Sequence, residues 1–105
     1  MLLRIVKKNK KGEFPMMYPF MTLEDKTEIV HSELLQDGKS VKVYIEKPID
    51  GGFCSAECYL PEYRWENIEG FTSKELESYQ SFIESVAHII IRLAGEGGFD
   101  NASNF

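Results

Sequence analysis

The chain has 105 residues, 43% hydrophobic and 28% charged, the make-up of one small globular domain able to close a core without staples. Its formal net charge of −5 runs against a protein built to grip phosphates, whose affinity comes from a basic excess. No stretch approaches the roughly 20 apolar residues of a membrane-spanning helix. The first residues carry their charges after their apolar positions, the reverse of a secretory leader, so a cytoplasmic protein with reduced thiols and no membrane association is expected.

Leu2 to Val6 reads as a short strand, ended by a turn containing Lys7, Lys8, Lys10 and Lys11, with Arg4 beside it. Such lysines solvate a turn and discourage edge-to-edge strand pairing. They are also the sole argument for nucleic acid, which the overall charge disfavours. Phe14 to Thr22 is apolar but holds Pro15 and Pro19, which restrict it to an edge strand or an extended loop packed on the core. Leu23 to Thr27 is a polar connection.

Thr27–Leu35 and Ser40–Pro48 flank Asp37-Gly38, a pair suited to a two-residue type I′ hairpin turn. That turn predicts Leu34 opposite Val41, Ser32 opposite Val43 and Val30 opposite Ile45, all on one face. The other face then pairs Glu33 with Lys42, Glu28 with Lys47 and His31 with Tyr44. A second hairpin crosses Asp50-Gly51-Gly52. Only an even-length loop places Cys54, Ala56, Cys58 and Leu60 on the face already holding Val41, Val43 and Ile45, because a one-residue slip flips every side chain. Strands over 27–35, 40–48 and 53–60 form a meander.

This face assignment disposes of metal and redox readings of Cys54 and Cys58. Four residues apart in a strand they stand roughly 13 Å from each other, too far for a disulfide or a shared zinc ion. Buried core thiols are expected, with no metal and no cofactor. Glycine-rich phosphate loops are missing from any strand-to-helix turn. The clustered carboxylates, such as Glu62, Glu66 and Glu69, have no spacing that marks an acid and a base. Glu62 to Gly70, after Pro61, reads as a further strand or an irregular crossing.

The helix has the clearest local signals. Thr72 and Glu75 form a capping box, with Phe71 and Leu76 spaced as a hydrophobic staple. Leu76, Tyr79, Ile83, Val86, Ala87, Ile90 and Leu93 recur at helical spacing, with Phe82 and Ile89 widening the stripe. Glu77, Ser81, Glu84, Ser85, His88 and Arg92 make the polar stripe, which puts His88 at the surface. Gly95 is expected to end the helix, and residues 97–105 to form a loose tail after a domain of residues 1–96.

The expected fold is α+β: a four- to five-stranded antiparallel meander with one C-terminal helix on one face. That helix should meet Val30, Leu34, Val41, Val43, Ile45, Cys54, Ala56, Cys58 and Leu60. Tyr44, Phe53 and Tyr59 fall on the opposite face, and Tyr63 and Trp65 follow closely. Interleaved with Arg64, these rings form a candidate binding surface, since tyrosine, tryptophan and arginine are the usual anchors of interfaces.

The run VYIEKPIDGGFCSAECYLP followed by GFTSKELESYQSFI also resembles HicB-type antitoxins, through Asp50-Gly51-Gly52, Leu60-Pro61, Gly70, Thr72 and Glu75. The aromatic segment after Leu60-Pro61 departs from that pattern. The resemblance implies a small protein that binds another protein. Residues and resemblance together point to a non-enzymatic interaction module engaging a protein partner, or a second copy, through aromatic side chains. The alternative is a small enzyme or ligand-binding subunit whose site forms only between chains, where His31 or His88 meets carboxylates.

Overall fold

The structure, a computed structural model, describes residues 16–96. The expected strand Leu2–Val6, the lysine turn and the tail lie outside the described residues. Within them the chain forms β1 (Met17–Thr22), β2 (Glu28–Ser32), β3 (Val41–Ile49), β4 (Gly52–Leu60), β5 (Arg64–Glu69) and α1 (Ser73–Glu96). The strands make an antiparallel meander in the order β1-β2-β3-β4-β5, and α1 packs on one face, an α+β fold. No helix among the described residues is long and apolar enough to cross a membrane. The described part of the proline-bearing segment forms β1, at the edge of the described sheet, where Pro19 needs no ladder donor.

β3 and β4 are the backbone of the sheet. They pair without interruption from Val41–Leu60 to Ile49–Gly52, across a two-residue turn of Asp50 and Gly51. Gly51 supplies the positive φ of 82° that this turn requires. Ile45 faces Ala56 and Val43 faces Cys58, the even-loop register, so Cys54, Ala56, Cys58 and Leu60 share the helix face with Val41, Val43 and Ile45. Ile83, Ala87 and Ile90 of α1 close that core from above.

The first hairpin departs from its expected register. Ile29 faces Ile45, Val30 faces Tyr44 and His31 faces Val43, one residue out of step. The expected type I′ turn does not form: the Gly38 amide donates to the Leu35 carbonyl and the Leu35 amide to the Ser40 carbonyl, both at 2.9 Å, and Gly38 (φ 75°) but not Asp37 has a positive φ. The Asp37 carboxylate accepts the amides of Lys39 and Ser40 and the Ser40 hydroxyl, which hold it down to a pKa of about 2. Below the turn, the Ser32 hydroxyl accepts the Lys42 amide at 3.0 Å and donates to the Glu33 carbonyl at 2.7 Å. A side chain thereby takes the place of a ladder carbonyl, the strand ends at Ser32, and one residue is absorbed.

The slip moves Val30 to the far face, beside Tyr44 and Met17, and brings Ile29 and His31 to the helix face. Exchanging Val30 for Ile29 there buries one more methylene, worth about 0.8 kcal/mol. Leu34, in the loop, still packs against the core and reaches Gly95 of the helix. The expected pairs Glu33–Lys42, Glu28–Lys47 and His31–Tyr44 are lost. Glu28 faces Glu46 instead, and Lys47 pairs with Glu75 of the helix at 3.5 Å.

α1 begins as its capping box dictates. The Thr72 amide donates to Glu75 Oε1 at 2.8 Å, and the Glu75 amide to Thr72 Oγ1 at 3.1 Å. Phe71 is buried before the cap and meets Tyr79 edge-on, with ring centroids 5.1 Å apart. The helix does not stop at Gly95 but runs through Glu96. Leu34 Cδ1 stands 3.8 Å from where a Gly95 Cβ would sit, so the last turn is packed against the sheet loop rather than released.

Candidate functional site

Alternation along β3, β4 and β5 decides which expected anchors share a surface. Tyr59 lies between Lys42 and Arg64, Tyr44 faces Glu57, and Phe53 faces Pro48. Tyr44, Phe53, Tyr59 and Arg64 therefore fall together on the face opposite α1, as expected. The Arg64 guanidinium carbon stands 4.6 Å from the Tyr59 ring centroid. Its Nε donates to Glu66 at 2.7 Å and its Nη1 to Glu62, while the side chain stays 52% exposed. Phe53 is 44% exposed near the tip of the β3–β4 hairpin, next to the exposed Ile49.

At the centre of this face lies a carboxylate. Glu57 is 1% exposed. Its Oε1 accepts the Asn67 amide at 2.8 Å and the Tyr59 hydroxyl at 3.4 Å, and Lys42 Nζ stands 3.7 Å from Oε2. A positive φ of 53° at Asn67, where the β4–β5 register shifts, places the Asn67 amide over Glu57. Burial, together with the Glu57 and Glu66 carboxylates, pushes the Tyr59 phenol up to about 12, so Tyr59 stays a hydrogen-bond donor. Alternation along β4 is what places Glu57 on this face with Phe53, Ser55 and Tyr59.

Trp65 and Tyr63 do not belong to this surface, which corrects their expected grouping. Trp65 faces Cys58, on the helix side, because β5 alternates in step with β4 at that point. Its indole Nε1–H donates to Gln80 Oε1 of α1 at 2.9 Å, and both Trp65 and Tyr63 pack against the main core. Burial, then Glu84, raises the Tyr63 phenol above its ordinary value. Trp65 and Leu76 bound an open cleft of about 400 Å³ between β5 and the first half of α1. Glu77, Gln80 and Glu84 complete it, with Ser73 and Ser81 at its margin. Of these, Glu77, Ser81 and Glu84 belong to the stripe expected to be polar and solvated. Their shared spacing opposite Trp65 was the available signal.

The other chemistry-bearing residues are committed to structure. Cys54 and Cys58 are free, buried thiols, and burial alone pushes Cys58 up to about 12, far from a reactive thiolate. His31 lies on the cysteine face, contrary to expectation, through the register slip. Its Nδ1 is 2.8 Å from the Ser32 carbonyl, and Tyr18 and Phe20 flank its ring at 5.7 and 6.5 Å between centroids. His31 is wholly buried and its Nε2 has no hydrogen-bond partner among the described residues. Burial lowers its pKa. His88 is exposed on the polar stripe of α1. Among the described residues no group of His, Cys, Asp and Glu is arranged to hold a metal ion. Compared with protein-family models, curated proteins and solved structures, the chain matches none of them.

Proposed function

We propose that the protein is a non-enzymatic interaction module that binds a protein partner through the sheet face opposite α1. Phe53, Tyr59 and Arg64 are its anchors, while Tyr44, 8% exposed on the same face, is packed with Val30 and Met17. The observation that carries this reading is the Arg64–Tyr59 stack. The guanidinium is held against the ring by two carboxylates and remains half exposed, so its binding geometry exists before a partner arrives. Arginine and tyrosine in that state are the residues in which interfaces concentrate their energy. The resemblance of residues 43–61 and 70–83 to HicB-type antitoxins supports the same class, a small protein that binds another protein.

A site built on the histidines draws no support. His31 is sealed between aromatic rings, and His88 stands on the exposed stripe of α1. The test is a purified complex between this chain and its partner, titrated calorimetrically. Arg64→Ala is expected to weaken it by tenfold or more, about 1.4 kcal/mol, while the unfolding midpoint of the free chain stays put. Unchanged affinity in a folded Arg64→Ala, Tyr59→Ala double variant sinks the proposal.

A further inference from the structure

We propose that the cleft between β5 and α1 receives a lysine or arginine side chain presented by a protein partner. This rests on the reading of the protein as an interaction module and adds a second contact on the other side of β5. The floor is the Trp65 indole, fixed in orientation by its bond to Gln80. Gln80 Nε2 in turn donates to Glu84 Oε2 at 3.2 Å, which holds that carboxylate at the cleft wall. Glu77, three residues before Gln80, has neither hydrogen bond nor ion pair among the described residues. Two carboxylates and the Trp65 indole thus line a space that no Lys or Arg among its lining residues neutralises.

A cation over an indole is attracted by the ring quadrupole, and flanking carboxylates add charge complementarity. The positive end of the helix dipole near Ser73 favours a seat toward Glu84 over one at the first turn. The cleft is open to solvent, whereas a free small molecule needs most of its surface enclosed to bind. A side chain delivered from a protein surface needs only its end group received.

Trp65 is the single tryptophan of the chain, so its emission reads the cleft directly. The full chain is titrated with a capped pentapeptide of glycines around one lysine, then one arginine, and with the lysine peptide acetylated on its side chain. A saturable change in Trp65 emission is expected with the two cationic peptides only. It should weaken about fivefold in a Glu77→Gln, Glu84→Gln variant and persist in Arg64→Ala. No response up to the solubility limit overturns the proposal, as does an equal response to the acetylated peptide or in the double variant. Emission that depends on protein concentration without peptide overturns it too, by placing a second copy in the cleft. Because Arg64→Ala tests the opposite face, each reading can fail alone.

Discussion

Glu57 and Cys58 are neighbours in β4, and both are almost wholly buried, at 1% and 0% exposure, yet they point to opposite faces of the sheet and are held by different physics. Cys58 sits among Val43, Ile83 and other apolar side chains, where shape and volume decide what fits. Its thiol stays neutral because burial penalises the thiolate. Glu57 sits beneath tyrosine, asparagine and lysine groups, where what matters is whether each oxygen is satisfied. Around Cys58 the helix face is a closed interior. The opposite face is a polar network with rings and a stacked arginine at its margin, and its chemistry suits a surface that meets another molecule. Burial alone does not distinguish the two faces; the kind of partner each side chain needs does.

Substitutions can break this contrast at either side. The largest effect is expected from Ile83→Ala, which opens a cavity against the sheet and should cost about 4 kcal/mol, read as a lowered urea midpoint. Gly70→Ala should cost about 3 kcal/mol. Gly70 has a φ of 86°, and an added Cβ would stand 2.7 Å from Cys54 Sγ. On the polar face, Glu57→Ala should cost about 2 kcal/mol by stranding Asn67 and Lys42, and Glu57→Gln less, because an amide oxygen still accepts. An apolar logic for that face predicts the reverse, with Glu57→Leu at least as stable as Glu57→Gln. Comparative unfolding of the three variants decides between these.

The smallest effect belongs to His31 and depends on pH. Its folded pKa lies below the ordinary 6.5, so the unfolded chain takes up a proton more readily. His31's contribution is therefore complete above pH 6.5 and lost as pH falls from there through the folded value. Asp25, Asp37 and Glu75 have lowered folded pKa values, so their contributions decline only at lower pH, below ordinary values of 3.8 to 4.5. Thermal midpoints measured down from pH 7 should fall first in the histidine range, and His31→Gln should flatten that first decline. A profile identical to wild type would show that His31 is not its source.

The β3–β4 hairpin, the helix start and the core of the helix face were legible because each rests on local chemistry. Asp50-Gly51 fixes a turn, Thr72 and Glu75 fix a cap, and alternation fixes a face. The first hairpin was misread because its register depends on the Ser32 hydroxyl, which competes with the backbone for the Lys42 amide. No periodicity records that competition. Gly95 looked like a helix end, but Leu34 packs against the last turn and the helix continues. The candidate surface was half legible. Tyr44, Phe53 and Tyr59 follow from parity, and Arg64 joins them. Trp65 was misgrouped because nearness in sequence was read as nearness in space, when the next residue of a strand points the other way.

In the described sheet every strand pairs with the strand that follows it in the chain, and that order has a kinetic consequence. Contacts between sequence neighbours close short loops, so little chain entropy is lost before the first pairings are rewarded. The long uninterrupted β3–β4 ladder, closed by a two-residue turn, is suited to form first, with its neighbours adding outward and α1 docking on a sheet already assembled. On that order, Asp50 and Gly51 substitutions slow folding, whereas changes in the last turn of α1 speed unfolding.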